Sequence, residues 1–550
     1  PVSILLIAVG SQSALARTVD LERERSRQMR ETQERERRMQ ETIEKQKSNQ
    51  EVIEKDDESP ISPKKGGELA FEVKKIITTP SEILSADEIA GVVRPLEGKK
   101  VKLQALFDAV EVINTLYKEK NYLAAKAILP PQKVKEGVVT IKLIEGRVGA
   151  IAVENNPTTR DTYIKNRLEN KQGELVQLDQ LESDLFYFNR TNDVSLRAVL
   201  KPGQKPGTTD YVLQATEPEH EQGLVFIDNA GTNDVGLYRL GFSYTNNSLL
   251  GWRDRLTLGA HVAAGTKAAY AAYDFPISKK GTRLALNFDV SNIKIIDGQL
   301  QPLDVTGESS NVGVQVTHPF VVTKDLLLNG FAGLNHKTST TDFSGVTLFD
   351  TEVDSLTLGF DAQSYDLTES WYTRHALTHG EYEDLNGGNF NKYNGEGNWL
   401  RIFESNHMLS IRGAIQYSSD ELLPSSEQFQ VGGMYSVRGY PEGLLKGDKG
   451  YSFSVEYDVP FPFRESGPWE NPFTDKWRAF AFFDHGGAFP FKGNNAGVND
   501  DDFLSSIGFG LGVNFDKTLR GRVVIGVPLS SRDDKHDDVR IHFYLQNIPF

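Results

Sequence analysis

The chain contains no cysteine, which removes disulfide staples, thiolate nucleophiles and cysteine-ligated metal sites together. It also lacks any apolar run of ~18 residues, so a helical membrane span is excluded. A mean hydropathy of -0.41 leaves a membrane β-barrel open, because an alternating wall averages an apolar face with a polar one. Positive charge is in deficit: Lys+Arg 61 against Asp+Glu 76 gives a net charge of -15, which argues against a nucleic-acid partner. The 10 histidines form no recognisable nucleophile–base or metal-ligand constellation, so neither an enzyme, a metal centre nor a cofactor site is expected. What is plentiful is glycine, at 48 residues, with aromatics at 10%, a composition suited to a Gly- and Tyr-rich β protein. The length of 550 residues leaves room for more than one domain.

Pro1–Gly10 is apolar apart from Ser3, and the small residues of Ser13-Ala14-Leu15-Ala16 follow it. Residues 1–16 read as the remnant of a secretory signal; the alternative, a buried N-terminal strand, has only polar sequence after Arg17 to pack on. Residues 17–55 are rich in Arg, Glu and Gln, without Gly or Pro, and carry opposite charges three or four apart. They predict a long helix with no continuous apolar stripe: a solvated spacer, a poor coiled coil, or a helix lodged in a polar cavity. Residues 56–68, from Asp56 through Pro60 and Pro63 to Gly67, read as a linker.

Two segments then share one pattern. In residues 69–146 a strand near Leu69–Ile77 precedes helices at Ser85–Val93 and Leu103–Lys118 and strands near Tyr122–Leu129 and Val138–Glu145. In residues 147–219 a strand at Val148–Glu154 precedes helices near Thr159–Glu169 and Leu178–Asn189 and strands at Val194–Leu200 and Tyr211–Glu217. Both run β-α-α-β-β over ~75 residues, a tandem repeat of small α/β modules with exposed sheet edges.

From residue 220 to 550 alternation replaces helical periodicity. In Tyr238–Thr245 one face is Tyr238, Leu240, Phe242 and Tyr244, and the other is Arg239, Gly241, Ser243 and Thr245. The split recurs at Arg255–Ala264, Leu284–Ser291, Asn311–Thr317, Leu356–Gln363, Leu409–Ser418, Tyr451–Val459, Phe503–Phe515, Arg522–Leu529 and Val539–Leu545. One such strand fits a soluble sandwich equally well, but their number behind a secretory signal favours a transmembrane barrel of ~16 antiparallel strands. Closure gives every backbone N–H and C=O a partner in lipid. The chain ends on Phe550, like the aromatic C-terminal signal of outer-membrane barrels, although Pro549 breaks the clean alternation. Gly508-Phe-Gly-Leu-Gly512 superficially evokes a nucleotide loop, but its glycines share one face of a strand.

The sharpest feature is Phe429-Gln-Val-Gly-Gly-Met-Tyr-Ser-Val-Arg-Gly-Tyr440, which presents Arg438 on a glycine-bounded loop between strands. An arginine inside a barrel needs a carboxylate, because an unpaired buried charge is costly. Along Trp477–Phe483 the odd positions are Trp477, Ala479, Ala481 and Phe483, so Asp484 falls with Arg478 on the lumenal face and is the candidate partner. The alternative is an exposed loop arginine solvated by water.

Val437-Arg438-Gly439-Tyr440, the later Phe482-Phe483-Asp484-His485-Gly486, the two modules and the C-terminal barrel together resemble the two-partner secretion transporters, the TpsB family. The modules resemble that family's POTRA domains, including Leu200-Lys-Pro-Gly-Gln-Lys-Pro-Gly207 before the last strand of the second. The resemblance implies a bacterial outer-membrane transporter with periplasmic POTRA domains, exporting a large unfolded TpsA-type adhesin, cytolysin or contact-dependent toxin to the cell surface. It implies that Arg438 folds back to pair with Asp484, that residues 17–55 plug the pore at rest, and that Val437, Gly439, Tyr440, Phe482 and Gly486 complete the motifs. Implied partners are the secreted polypeptide, outer-membrane lipid and the barrel assembly machinery. The main rival is a POTRA-bearing insertase, which usually carries more such modules; a barrel phospholipase and a passive porin fit less well.

Overall fold

The computed structural model describes residues 53–55, 70–122, 124–366, 368–384, 387–418, 423–460, 477–489, 503–515, 518–530 and 538–548. The signal remnant at 1–16, residues 17–52 of the expected helix, the linker at 56–68 and Phe550 lie outside the described residues. The expected helix does not reach residue 55: Ile53–Lys55 is a strand, β1. An open sheet edge supplies it with the backbone partners that a helix end lacks.

In the first module the expected strand at Leu69–Ile77 divides at Lys74 into β2 (Ala70–Val73) and β3 (Lys75–Thr78). The Lys74 N–H turns to the carbonyl of Gly137 at 2.8 Å, so the two halves join different sheets. After them come α1 (Ala86–Val93), β4 (Lys99–Lys102), α2 (Leu103–Glu119), β5 (Lys126–Ile128) and β6 (Val138–Ile144). Ser85 and Glu88 close a capping box at the start of α1. In α2 the i, i+4, i+7 and i+11 positions Leu106, Val110, Ile113 and Tyr117 form one buried face against Val73, Ile76, Val139 and Ile141. β5 is shorter than expected, because Asn121 takes a left-handed φ of 64° and the chain turns through Tyr122 first.

The second module comprises β7 (Arg147–Glu154), α3 (Asp161–Lys165), α4 (Leu178–Thr191), β8 (Ser195–Pro202) and β9 (Thr208–Thr216). Its sheet order β8-β9-β7 repeats the β5-β6-β3 of the first module, with an antiparallel hairpin and the module's first strand added in parallel. β1 lies parallel on the outer edge of β8, pairing Ile53, Glu54 and Lys55 with Ala198, Val199 and Leu200. The edge expected to be open at Val194–Leu200 is therefore partly occupied by the chain itself.

The barrel is closed, antiparallel and sixteen-stranded. Its first eleven strands are β10 (Glu221–Asp228), β11 (Arg239–Asn246), β12 (Arg255–Ala263), β13 (Thr266–Pro276), β14 (Arg283–Lys294), β15 (Val305–Val322), β16 (Leu327–Phe343), β17 (Val346–Tyr365), β18 (Glu369–Glu383), β19 (Gly388–Ile402) and β20 (Met408–Ser418). A small hairpin, β21 (Phe429–Val431) and β22 (Leu445–Gly447), follows in sequence without entering the wall. The wall resumes with β23 (Lys449–Pro460), β24 (Trp477–Phe489), β25 (Phe503–Phe515), β26 (Leu519–Pro528) and β27 (Arg540–Asn547), and β27 pairs with β10. An even number of antiparallel strands puts the start of β10 and the end of β27 on one rim.

Alternation sets the two faces. Leu356, Leu358 and Phe360 of β17, Leu377 of β18, and Ile507 and Phe509 of β25 point outward and are exposed, while Ser355, Asp361 and Ser506 are buried on the inner side. Such a continuous exposed apolar band is tolerable only with lipid around it. On the inner face Asp228 of β10 and Arg239 of β11 sit opposite each other as a buried ion pair, with the Arg239 Nε at 2.8 Å from the carboxylate.

In the first module, Glu145 gathers the loop before α1. It accepts from the N–H groups of Glu82 (2.8 Å) and Ile83 (3.3 Å), the Tyr117 phenol (3.0 Å) and the Ser81 hydroxyl. Burial pushes its pKa up, but these hydrogen bonds outweigh burial and hold the carboxyl below its ordinary 4.5. A carboxyl lowered in the folded state adds stability above its unfolded pKa, and that stability is lost as pH falls through the folded one. In a fragment spanning residues 70–218, Glu145→Gln should cost about 1–2 kcal/mol at neutral pH. Its melting temperature should also fall less than the parent's on acidification. Equal acid sensitivity in thermal melts of the two proteins would dismiss Glu145 as the titrating group.

Candidate functional site: a loop docked in the barrel lumen

The loop between β20 and β23 turns inward rather than standing clear of the barrel. β21 and β22 pair from Phe429–Gly447 to Val431–Leu445, and Gly432 and Gly433 at positive φ begin the reversal beyond them. Val437 and Tyr440 are fully buried with Val431, Leu445, Ala488 and Leu504, so the loop carries a small apolar core of its own against the wall. Tyr440 fixes its far side: its hydroxyl lies 2.8 Å from the Ser505 carbonyl, and the Ser530 N–H donates to it at 3.1 Å.

Between these apolar anchors sits Arg438, 3% exposed. Its Nε donates to Asp484 Oδ2 at 2.7 Å and its Nη2 to Oδ1 at 2.9 Å, a two-pronged fork. Its own backbone N–H donates to Oδ2 at 3.0 Å, so Asp484 holds main chain and side chain together. Nη1 reaches Glu456 Oε2 at 2.5 Å, and Nη2 reaches Ser454 Oγ at 3.2 Å. Ser454 in turn donates to Asp484 Oδ1 at 2.7 Å, and Arg522 donates to the other oxygen of Glu456 at 2.6 Å. The solvated-loop alternative is thereby excluded.

The second motif is explained by where its side chains point. Phe480, Phe482 and Asp484 alternate inward on β24 while Ala481 and Phe483 face out. The Phe482 ring lies 3.6 Å beneath the Arg438 guanidinium carbon, and Phe480 lies 4.0 Å beneath that of Arg522. Those rings need floor space on the next strand. A Cβ at Gly508 would come within 2.4 Å of Phe482, and one at Gly510 within 2.3 Å of Phe480. The two rings account for Gly508 and Gly510, whereas a Cβ at Gly512 would meet nothing closer than 3.9 Å. Gly486 leaves room for Val431, whose Cγ1 would stand 2.9 Å from an added Cβ.

At Gly439 the loop backbone comes close against the wall. That residue adopts φ +93°, and a Cβ on Gly526 of β26 would lie 2.5 Å from the Gly439 nitrogen. The Gly439 N–H donates to His542 Nε2 at 3.1 Å on β27, which requires that nitrogen to carry no proton. The sequence-predicted residues Val437, Arg438, Gly439, Tyr440, Phe482, Asp484 and Gly486 are thus brought together; Phe550 lies outside the described residues. Sequence reasoning missed Ser454, Glu456, Arg522, Gly526 and His542. Ser454 and Glu456 were accessible by parity, since Tyr451, Phe453, Val455 and Tyr457 form the apolar face of their strand.

Comparison with known proteins places the chain as a whole. The family described as "Haemolysin secretion/activation protein ShlB/FhaC/HecB" matches residues 207–515, more than half of the sequence. The chain belongs to that family. A POTRA domain of ShlB type matches residues 71–146, the first module. The chain is 27% identical over 507 residues to the heme/hemopexin transporter protein HuxB of Haemophilus influenzae, covering 87% of each. It is 22% identical over 402 residues to the outer membrane transporter CdiB of Escherichia coli, covering 69% of this chain and 67% of the relative. The solved structure of CdiB from Escherichia coli aligns with a TM-score of 0.64 at 19% identity, over 95% of this chain and 98% of that one. The solved structure of BamA from Haemophilus ducreyi lacking POTRA domains 1–3 shares the fold at a TM-score of 0.53 and 14% identity, over 87% of this chain and 100% of that one. The transporter is a two-partner secretion protein of the outer membrane, with its POTRA domains in the periplasm. The rim where β10 begins is therefore the periplasmic one.

Breaking a buried ion pair by removing one partner costs about 3–5 kcal/mol, and here that cost falls on loop docking rather than on the wall. Arg438→Ala and Asp484→Ala should each reduce secretion sharply while the barrel still assembles, and the double variant should be little worse than either. Lysine at 438 should rescue only in part, since it keeps the charge without the planar fork. Defects that multiply in the double variant, at equal amounts of inserted barrel, would show the two residues acting separately.

Proposed function

We propose that the transporter carries one large TpsA-type polypeptide, unfolded, from its POTRA domains through the lumen to the cell surface. The lumen carries this reading: its wall is lined by Ser, Thr, Asn, Asp and Arg side chains, and a docked loop can move without breaking the wall. A hydrated polar lining gives an extended chain no apolar trap. The sequence carries no nucleotide-binding motif, and folding of the partner outside supplies the direction. HuxB, whose sequence aligns over 87% of this chain against 69% for that of Escherichia coli CdiB, favours a partner connected with heme or hemopexin transport.

Recognition proceeds by strand addition at open POTRA edges. β3 and β7 are terminal strands of their sheets, whereas β8 carries β1. Outer-membrane lipid contacts the apolar band, and the barrel assembly machinery inserts the chain. The protein is not an enzyme: the hydrogen-bonded string Ser505–His485–Tyr451 ends in a phenol where a hydrolase triad needs a carboxylate.

Deleting the gene should abolish surface delivery of one large protein encoded nearby while other barrels assemble normally; general loss of barrels would favour the insertase instead. On β3, the N–H groups of Lys75 and Thr79 turn toward the β6 side, to Gly137 and Ile141 carbonyls, so alternation turns that of Thr78 outward. Thr78→Pro should weaken binding of the partner's N-terminal portion about fivefold, for the loss of one hydrogen bond. Unchanged affinity in a folded Thr78→Pro protein would rule out addition at that edge.

A further inference from the structure

Arg438 holds only the tip of the lumenal loop. Its root descends from the end of β20 through a 3-10 turn, Ser425–Glu427, and is held by a different set of side chains. The Glu427 side chain is 2% exposed and lies between two lysines from non-adjacent strands. Lys337 of β16 pairs with its Oε1, and Lys392 of β19 pairs with its Oε2 at 2.7 Å. Lys392 also donates to the Glu427 carbonyl at 3.2 Å, and the Gln416 amide of β20 donates to that carbonyl at 2.9 Å and to the Asp448 carbonyl at 3.2 Å. Gln416 thus ties both legs of the loop to the wall, because Asp448 directly precedes β23.

The two attachments lie on different arcs and at different heights. Arg438 docks on β23 and β24, with Gly439 reaching β26 and β27. The Glu427 cluster draws on β16, β19 and β20, close to the extracellular ends marked by Gly388 and Ser418. We propose that Glu427 is a positioning residue for transport, a second and independent anchor that holds the loop root against the outer rim and sets how far the lumen is closed there. This rests on the lumen being the route of passage, but the seating of the root is measured directly and can fail on its own.

Glu427 is one carboxylate shared by two ammonium groups. Neutralising the carboxylate takes an ion-pair partner from two ammonium groups at once, whereas removing one lysine leaves an intact pair. Glu427→Gln should therefore loosen the root more than Lys392→Met does, although it is the smaller change in shape. Replacing all three charges, with Glu427→Gln, Lys337→Met and Lys392→Met together, should restore most of the seating. A packing role would give the reverse order.

The absence of cysteine makes the test clean, since one introduced thiol is unique. Ser426 is 8% exposed beside Glu427, so Ser426→Cys in the full-length inserted protein should react slowly with a membrane-impermeant maleimide added outside. Adding Glu427→Gln should speed labelling about tenfold and raise single-channel conductance in planar bilayers; adding all three neutral replacements should return labelling toward the parent rate. Adding Arg438→Ala instead should leave position 426 slow. Where Glu427→Gln fails to assemble, judged by heat-modifiable gel migration, Lys392→Met gives the reading, with labelling faster than the parent. Parent-like labelling in Glu427→Gln, or in Lys392→Met where that stands in, overturns the proposal. So does fast labelling in the triple replacement, or fast labelling at 426 when only Arg438 is removed.

Discussion

A backbone polar group in hydrocarbon has no water to fall back on, and that constraint governs the rest of this molecule. It demands that β10 meet β27, and because that pairing is antiparallel the strand count is even and both ends of the wall come to one rim. Once the ladder is closed, strand parity becomes absolute, because a slip by one residue would turn Asp228, Arg239, Ser454 and Asp484 into lipid together. The inner face is then the only place where charge can collect, and it collects in compensated groups.

The loop dock shows what compensation requires. A guanidinium carries five donors in one plane, and Arg438 uses a carboxylate fork, a second carboxylate, a hydroxyl and an aromatic floor. The Phe482 ring can lie flat there because Gly508 has no side chain. A glycine that touches the ring rather than the arginine is therefore part of the loop's binding site. Backbone takes part as well, through the N–H groups of residues 438 and 439. The dock thus recognises a loop conformation as much as a side chain.

Legibility followed the strength of the local pattern. Strands with clean alternation, such as Tyr451–Val459 and Phe503–Phe515, were visible, and parity alone placed Asp484 inward. Strands such as β18 and β19 were not, since Ser370, Trp371, Tyr372, Thr373 and Arg374, or Asn389 through Asn398, mix polar and aromatic residues on both faces. β4 was missed because Lys99-Lys-Val-Lys102 offers one apolar residue, and a two-stranded pairing with β2 suffices to hold it. The β1 strand was hidden inside a helix-forming composition, where a long-range partner overrode local propensity. Gly526 and His542 had no signal: a glycine that receives another backbone, and a histidine that accepts one hydrogen bond, look ordinary in a strand. The Glu427 cluster was equally silent, since Lys337, Lys392 and Glu427 become neighbours only when the barrel closes.

The loop enters and leaves through the ends of β20 and β23, and those two strands pair directly with each other beneath it, from Met408–Asp458 to Gln416–Gly450. The cylinder is thus complete without the loop. Housing and moving part are mechanically separate: the loop can swing, tilt or be pushed aside while the hoop of hydrogen bonds around the wall carries the same load. The bore can change with its occupant, and the bilayer seal need never be strained to let it.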